Sequence, residues 1–248
     1  MANWNDPQPT KTGFGAAPSL NGEVIGSAGT YDMGLRRHML SIYNYMSSGV
    51  LLSGIVALLF ASSGMAAQII GGPLWFVIAL SPIGFVLAMS FGQNKFSTPA
   101  LQMMFWGFAI MMGLSLSTIF LRYTGASIAT TFFATAGAFA GLSLFGYTTK
   151  KNLTAMGSFM IMGMFGILIA MVINIFLQSS GLSMAISILG VLIFAGLTAY
   201  DTQRLKNQYY EVQGTDFAGK AIVLGALTLY LDFINMFQFL LSFLGNRE

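Results

Sequence analysis

Of the chain's eight acidic residues, only two fall in or at the edge of a long apolar segment. Asp232 lies inside LTLYLDFINMFQFLLSFL, and Asp201 closes the apolar run that ends in LTAYDTQRLK. A carboxylate at bilayer depth costs roughly 2.5–3.5 kcal/mol on insertion scales, so it turns to the protein interior and takes a partner. The helical neighbours Thr228, Asn235 and Gln238 make one side of the last segment more polar than the rest, which predicts an inward polar seam centred on Asp232. Polar glue between membrane helices is usually Ser, Thr or Asn, which costs less to bury, so an aspartate here points to chemistry. Arg204 follows Asp201 by three residues; it either supports the acid or forms with it a solvated helix end.

If the two carboxyl groups come within hydrogen-bonding distance, one shared proton avoids like-charge repulsion and the pair titrates as a unit. Losing that proton creates repulsion and a cavity that attracts cations. A hard cation such as calcium prefers oxygen ligands, which makes Asp201 and Asp232 its candidate ligands, although two carboxylates supply only part of a site. The pair therefore reads as a proton-sensing and gating element. Spacing alone does not bring the two together. Asp201 reads as lying near the inner surface and Asp232 several residues deeper, so contact requires helix tilt or a later start to the last span.

The elements that must position them are written in the composition. Hydrophobic residues make up 55% of the 248 and charged residues only 8%, against about 25% charged in a soluble domain. Seven apolar stretches are long enough to cross the membrane as helices, approximately 45–63, 73–91, 102–121, 126–147, 153–177, 182–199 and 221–244. Barrel strands would be shorter and alternate in polarity, and a backbone in hydrocarbon must satisfy its own hydrogen bonds. An all-α membrane protein, a seven-transmembrane helix bundle, is the expectation; six spans plus a re-entrant segment is the rival. Nine of the eleven Lys and Arg fall in the N-terminal tail and every second connection, among them Lys95, Lys206 and Lys220; Arg122 and Arg247 fall on the other side. That asymmetry places the N-terminus in the cytoplasm and the short C-terminal tail opposite.

Residues 1–30 are polar and rich in Gly and Pro, predicting a loose tail before a membrane domain over 31–248. The following YDMGLRRHMLSIYNYM predicts a short interfacial helix, its arginines near anionic headgroups, in which His38 is incidental. Gly137 and Gly141, like Gly163 and Gly166, have the spacing that lets helices pack closely, within the bundle first and between copies second. The Met-rich runs read as lipid-facing or gap-filling. No basic stripe interleaved with aromatics points to a nucleic acid, and without cysteine there is neither disulfide nor thiolate ligand. A single histidine cannot form a histidine metal cluster. The Gly-x-Gly-Asp arrangement of intramembrane aspartyl proteases is missing, since LYL precedes Asp232. The last span has no mid-helix lysine for a retinal Schiff base, and no phosphate-binding glycine loop is present. An enzyme is therefore not expected, and no cofactor beyond calcium itself.

On LTLYLDFINMFQFLLSFLG, AYDTQRLK and LRRHMLSIYNYMSSGVLLSG, the sequence resembles the bacterial branch of the Bax inhibitor-1 family, over roughly residues 33–245. The resemblance implies a bundle whose C-terminal helix is central, in a bacterial inner membrane. It implies a pH-controlled calcium leak, with Asp201 and Asp232 as the buried pair that takes up and releases protons. Family members with an arginine latch at the inner end of the second span leave only Lys95 as its counterpart here, and a lysine is a point charge rather than a fork. The acidic residue some members carry within that span is also missing. Beyond membrane lipids, calcium and protons, the resemblance adds a membrane-bound protease as a regulatory partner, the alternative to conduction. A secondary transporter is the weaker reading, as no inverted repeat supports it.

Overall fold

Residues 198, 201, 202 and 205 are buried at helical spacing, which carries one helix through Asp201 instead of ending it there. The computed structural model describes residues 32–246; the expectation of a loose tail over 1–30 lies outside them. The described helices are α1 (Met33–Ser62), α2 (Met65–Ile69), α3 (Pro73–Gly92), α4 (Thr98–Leu116), α5 (Gly125–Thr148), α6 (Thr154–Leu177), α7 (Ser180–Val212) and α8 (Ala218–Leu244). A 3-10 turn over Ser117–Leu121 extends α4. All but the short α2 are long and apolar enough to cross a membrane, giving seven candidate spans among the described residues. Residues 34–246 belong to one compact unit.

Local chemistry sets the helix ends. Ser97, Thr124 and Ser179 cap α4, α5 and α7, each side-chain oxygen accepting from a backbone N–H three residues on. Pro73 and Pro99 occupy first-turn positions of α3 and α4, where the missing N–H costs nothing. Pro82 is harder to place, inside α3. It cannot donate to the Ile78 carbonyl, and the Ser81 hydroxyl donates to that oxygen instead at 2.9 Å.

Two boundaries differ from the sequence expectation. The interfacial helix and the first span are one uninterrupted α1, because Leu35, Met39, Ile42 and Met46 continue a single buried stripe. Its His38 is buried instead of lying at the interface, with its ring 5.3 Å from that of Tyr209 on α7. The sixth span, expected over 182–199, is the first part of an α7 that runs on to Val212, held by buried Leu205 and Val212. This extension removes the depth mismatch between the acids. Asp201 lies eleven residues from the end of α7 and Asp232 fourteen from the start of α8, or ~17 and ~21 Å of helix from the same end of the bundle.

α8 is central. In its most apolar stretch 61% of residues are buried, against 6% for α6, and it packs on α7, α5, α4 and α3. Close glycine contacts are not where the paired spacings placed them. An added Cβ at Gly137, Gly141 or Gly166 would meet nothing within 4 Å, so the α5 pair does not pack within the bundle. Gly163 does face Ile193 of α7, which a Cβ added there would meet at 2.8 Å. Close approaches to a neighbouring helix backbone are at Gly146, where a Cβ would collide with the Ala199 carbonyl, and at Gly113, where it would stand 2.7 Å from the Ser53 carbonyl oxygen.

Candidate functional site: a buried acid pair

The Asp201 and Asp232 side chains meet between α7 and α8, each within hydrogen-bonding reach of the other. Asp201 is 7% exposed and Asp232 4%. Two carboxylates in direct contact cannot both be charged cheaply away from water, and the neutral partner must supply the O–H that bridges them. Among buried side-chain atoms of the described residues, Asp232 Oδ2 alone has no hydrogen-bond partner. A buried acceptor left open is costly, so it marks a place where a proton or a cation finds an uncontested oxygen.

The expected supporting residues divide. Arg204 lies 3.5 Å from Asp201 Oδ1, a long contact from a guanidinium that is 61% exposed, so it sits at the rim of the pair. Thr228 and Asn235 do not turn their bonds toward Asp232. Each is half-buried and donates to the carbonyl four residues back in α8, at 3.1 Å to Leu224 and 2.8 Å to Leu231. Gln238 is exposed, so the polar seam narrows to Asp232 itself. Lys95 is exposed in the turn after α3 and takes no part in the pair. The corresponding end of α3 is tied down by a different cation, Lys220 of α8, which donates to the Gln93 carbonyl at 3.0 Å.

The pair is flanked by polar links that were not read from the sequence. Behind it, Tyr230 faces α1 and α4, where its hydroxyl meets the fully buried Ser53 Oγ at 2.6 Å. Ser53 in turn lies 2.7 Å from the Ala109 carbonyl and 2.9 Å from that of Gly49. On the α7 side, a hydroxyl chain runs from Tyr43 to Ser143 at 2.5 Å and on to Thr202 at 3.0 Å, tying α1, α5 and α7 together beside Asp201. Beyond Asp201, Gln203 accepts from Leu153 N–H and donates to the Lys151 carbonyl, and Lys206 donates to the Tyr147 carbonyl at 2.8 Å. The signal for these was a hydroxyl or amide within an apolar or buried stretch, but its partner is far along the chain and no local spacing names it.

Seven apolar helices around a buried acid pair define a multi-pass membrane protein with an ionisable centre. The chain belongs to the Bax inhibitor-1 family: the family model described as "Inhibitor of apoptosis-promoting Bax1" matches residues 35–248. It is 48% identical over 232 residues to an uncharacterized protein of Caulobacter vibrioides, covering 88% of this chain and 92% of that one. The inner membrane protein YbhL of Escherichia coli is 42% identical over 219 residues, 87% of this chain and 94% of YbhL. RP147 of Rickettsia prowazekii is 44% identical over 221 residues, 88% and 93% of the two chains.

Proposed function

We propose that the protein is a proton-sensitive cation leak of the bacterial inner membrane, with calcium as the permeant ion and the Asp201–Asp232 pair as its gate. The observation that carries this reading is the contact of two buried acids, one of whose oxygens has no partner. With one proton shared, the pair binds α7 to α8. Without it, two anions face each other at low dielectric, and the cheapest relief is separation of the helices and entry of water or a cation. An oxygen-lined opening of this kind suits a hard cation, and water supplies the coordination that two carboxylates lack. Among the described residues no group of three or more His, Cys, Asp and Glu side chains is gathered to hold a metal, which fits passage better than storage. The family resemblance independently points to calcium leak. Lys95 is not placed as a latch in this scheme; Arg204 holds the rim of the gate and Lys220 the end of α3.

Flux through liposomes containing the purified protein tests the reading. Calcium entry is expected to rise as pH is raised through the titration of the pair. Asp232→Asn and Asp201→Asn each remove the charge that drives opening, so both should give low flux with a flattened pH profile. Calcium entry that keeps the wild-type pH profile in both variants would exclude the pair as the gate. No flux at any pH, with a protease co-purifying from membranes, would favour the regulatory alternative.

A further inference from the structure

Two cavities share the seam between α6 and α7. At the cation-rich end, a polar cavity of about 410 Å³ is lined by Thr154 of α6 and by Tyr200, Arg204, Asn207, Gln208 and Glu211 of α7. Farther along the same helix pair, an apolar cavity of about 460 Å³ is floored by the small residues Gly166, Ala170 and Ala185 and walled by larger ones such as Phe159 and Leu189. Thr154 and Phe159, which mark the near edges on α6, are five residues apart, or ~8 Å of helix rise. Where the cavities adjoin, the two helices touch: the Tyr200 ring of the polar cavity covers Gly157, and Met160 of the apolar one lies 3.0 Å from where a Gly196 Cβ would stand. The result is a polar recess at the water boundary and an apolar groove at membrane depth, both on the outside of the bundle, where α6 is bare.

We propose that this seam binds one membrane glycerophospholipid, with its phosphodiester at Arg204 and an acyl chain entering the apolar groove from Phe159 as far as Gly166, twelve residues or ~18 Å of helix from Thr154. Arg204 has donors to spare. A guanidinium carries five N–H groups, and among the described residues the bond to Asp201 is the one this side chain makes, at 3.5 Å. Asn207, Gln208 and Tyr200 add neutral hydrogen-bonding groups for ester and headgroup atoms. Glu211 forms no ion pair among the described residues and stands in the same recess. Its carboxylate disfavours a doubly charged phosphomonoester and favours a headgroup that donates, through an ammonium or a hydroxyl. A single-chain groove of small residues walled by larger ones suits an acyl tail and offers nothing polar to a water-soluble ligand. The lipid phosphate would compete with Asp201 for Arg204, so occupancy of the seam would be felt at the acid pair. The site itself stands whether or not the protein conducts.

Native mass spectrometry of the full chain, released from detergent with added lipid, tests this. Dioleoyl phosphatidylethanolamine and dioleoyl phosphatidylglycerol should each be retained at one molecule per chain, and dioleoyl phosphatidic acid much less. Loss of a charge-assisted bond or of the groove should lower retention about tenfold, for Arg204→Gln and for Gly166→Leu respectively. The second variant places its side chain in open space, so it reads groove filling rather than misfolding. Gly137→Leu, equally open but on α5, should retain lipid as the parent does. Wild-type retention in both Arg204→Gln and Gly166→Leu would overturn the proposal, as would an equal loss in Gly137→Leu, which would indicate annular lipid only. Displacement of the lipid by sn-glycerol 3-phosphate would also overturn it, reassigning the recess to a soluble phosphoester.

Discussion

A hydroxyl buried in a bundle is tolerated when every atom it presents is answered, and Tyr230 shows how narrow that condition is. Its ring is fully buried, packed edge-on against Phe105 and Phe108, and its hydroxyl has Ser53 as its partner. Ser53 keeps other acceptors, the carbonyls of Ala109 and Gly49. The consequences of removing either side chain are therefore unequal. Ser53→Ala strands the Tyr230 hydroxyl and should cost ~1–3 kcal/mol of stability, whereas Tyr230→Phe leaves Ser53 satisfied and should cost under ~1 kcal/mol. In the double variant no stranded hydroxyl remains, so its loss should match Tyr230→Phe and not the sum. Denaturation in mixed detergent micelles measures all three, and simple additivity would contradict the shared node. Asp232 sits two residues on and faces the other way, toward α7, so this node holds α8 from behind while the acid pair engages it in front.

At the scale of helices, apolar length and helix count were legible in the sequence, and the pairing of helices was not. The stripe that fuses the expected interfacial helix to α1 was present as Leu35, Met39, Ile42 and Met46, but the arginines between them suggested a boundary. For α7, the polar run from Asp201 to Val212 looked like a loop approach because hydropathy drops there, while burial of Leu205 and Val212 depends on neighbours distant in the chain. Both aspartates were legible as residues and the family resemblance paired them, but spacing alone did not bring them together, because it missed the longer α7. Glycine spacing misled for the same reason: four-residue intervals identify a smooth face without saying what lies against it. The contrast gives a direct test. Gly146→Ala puts a methyl group into the Ala199 carbonyl and must push α5 from α7, while Gly137→Ala points into open space. Overpacking of this kind costs ~1–3 kcal/mol, so Gly146→Ala should unfold earlier on heating and Gly137→Ala should match the parent. Equal melting of both would mean that the α5–α7 contact is not close.

Over the whole molecule, charge and topology agree on one polarity. The starts of α1, α4, α6 and α8 and the ends of α3, α5 and α7 share one end of the bundle, as the bonds from Lys220 to Gln93 and from Lys206 to Tyr147 and the packing of His38 on Tyr209 require. Those two lysines neutralise the carbonyl ends of α3 and α5, a favourable place for a cation on a helix dipole. Arg36, Arg37, Lys95, Lys150 and Lys151 belong to the same end, which the positive-inside rule predicts to face the cytoplasm. At the opposite end, Asn246 is held against the start of α5, its N–H donating to Ser127 Oγ at 3.0 Å and its carbonyl accepting from Thr124 N–H at 3.2 Å. With seven crossings, that rule predicts Lys95 inside and Asn246 outside. The chain has no cysteine, so single replacements give a clean reading with a membrane-impermeant maleimide. Asn246→Cys should be labelled in intact spheroplasts, and Lys95→Cys only after the membrane is opened. Labelling of both from the same side would mean an even number of crossings, and the reverse pattern would invert the bundle, placing the Arg204 rim of the acid pair on the outer face.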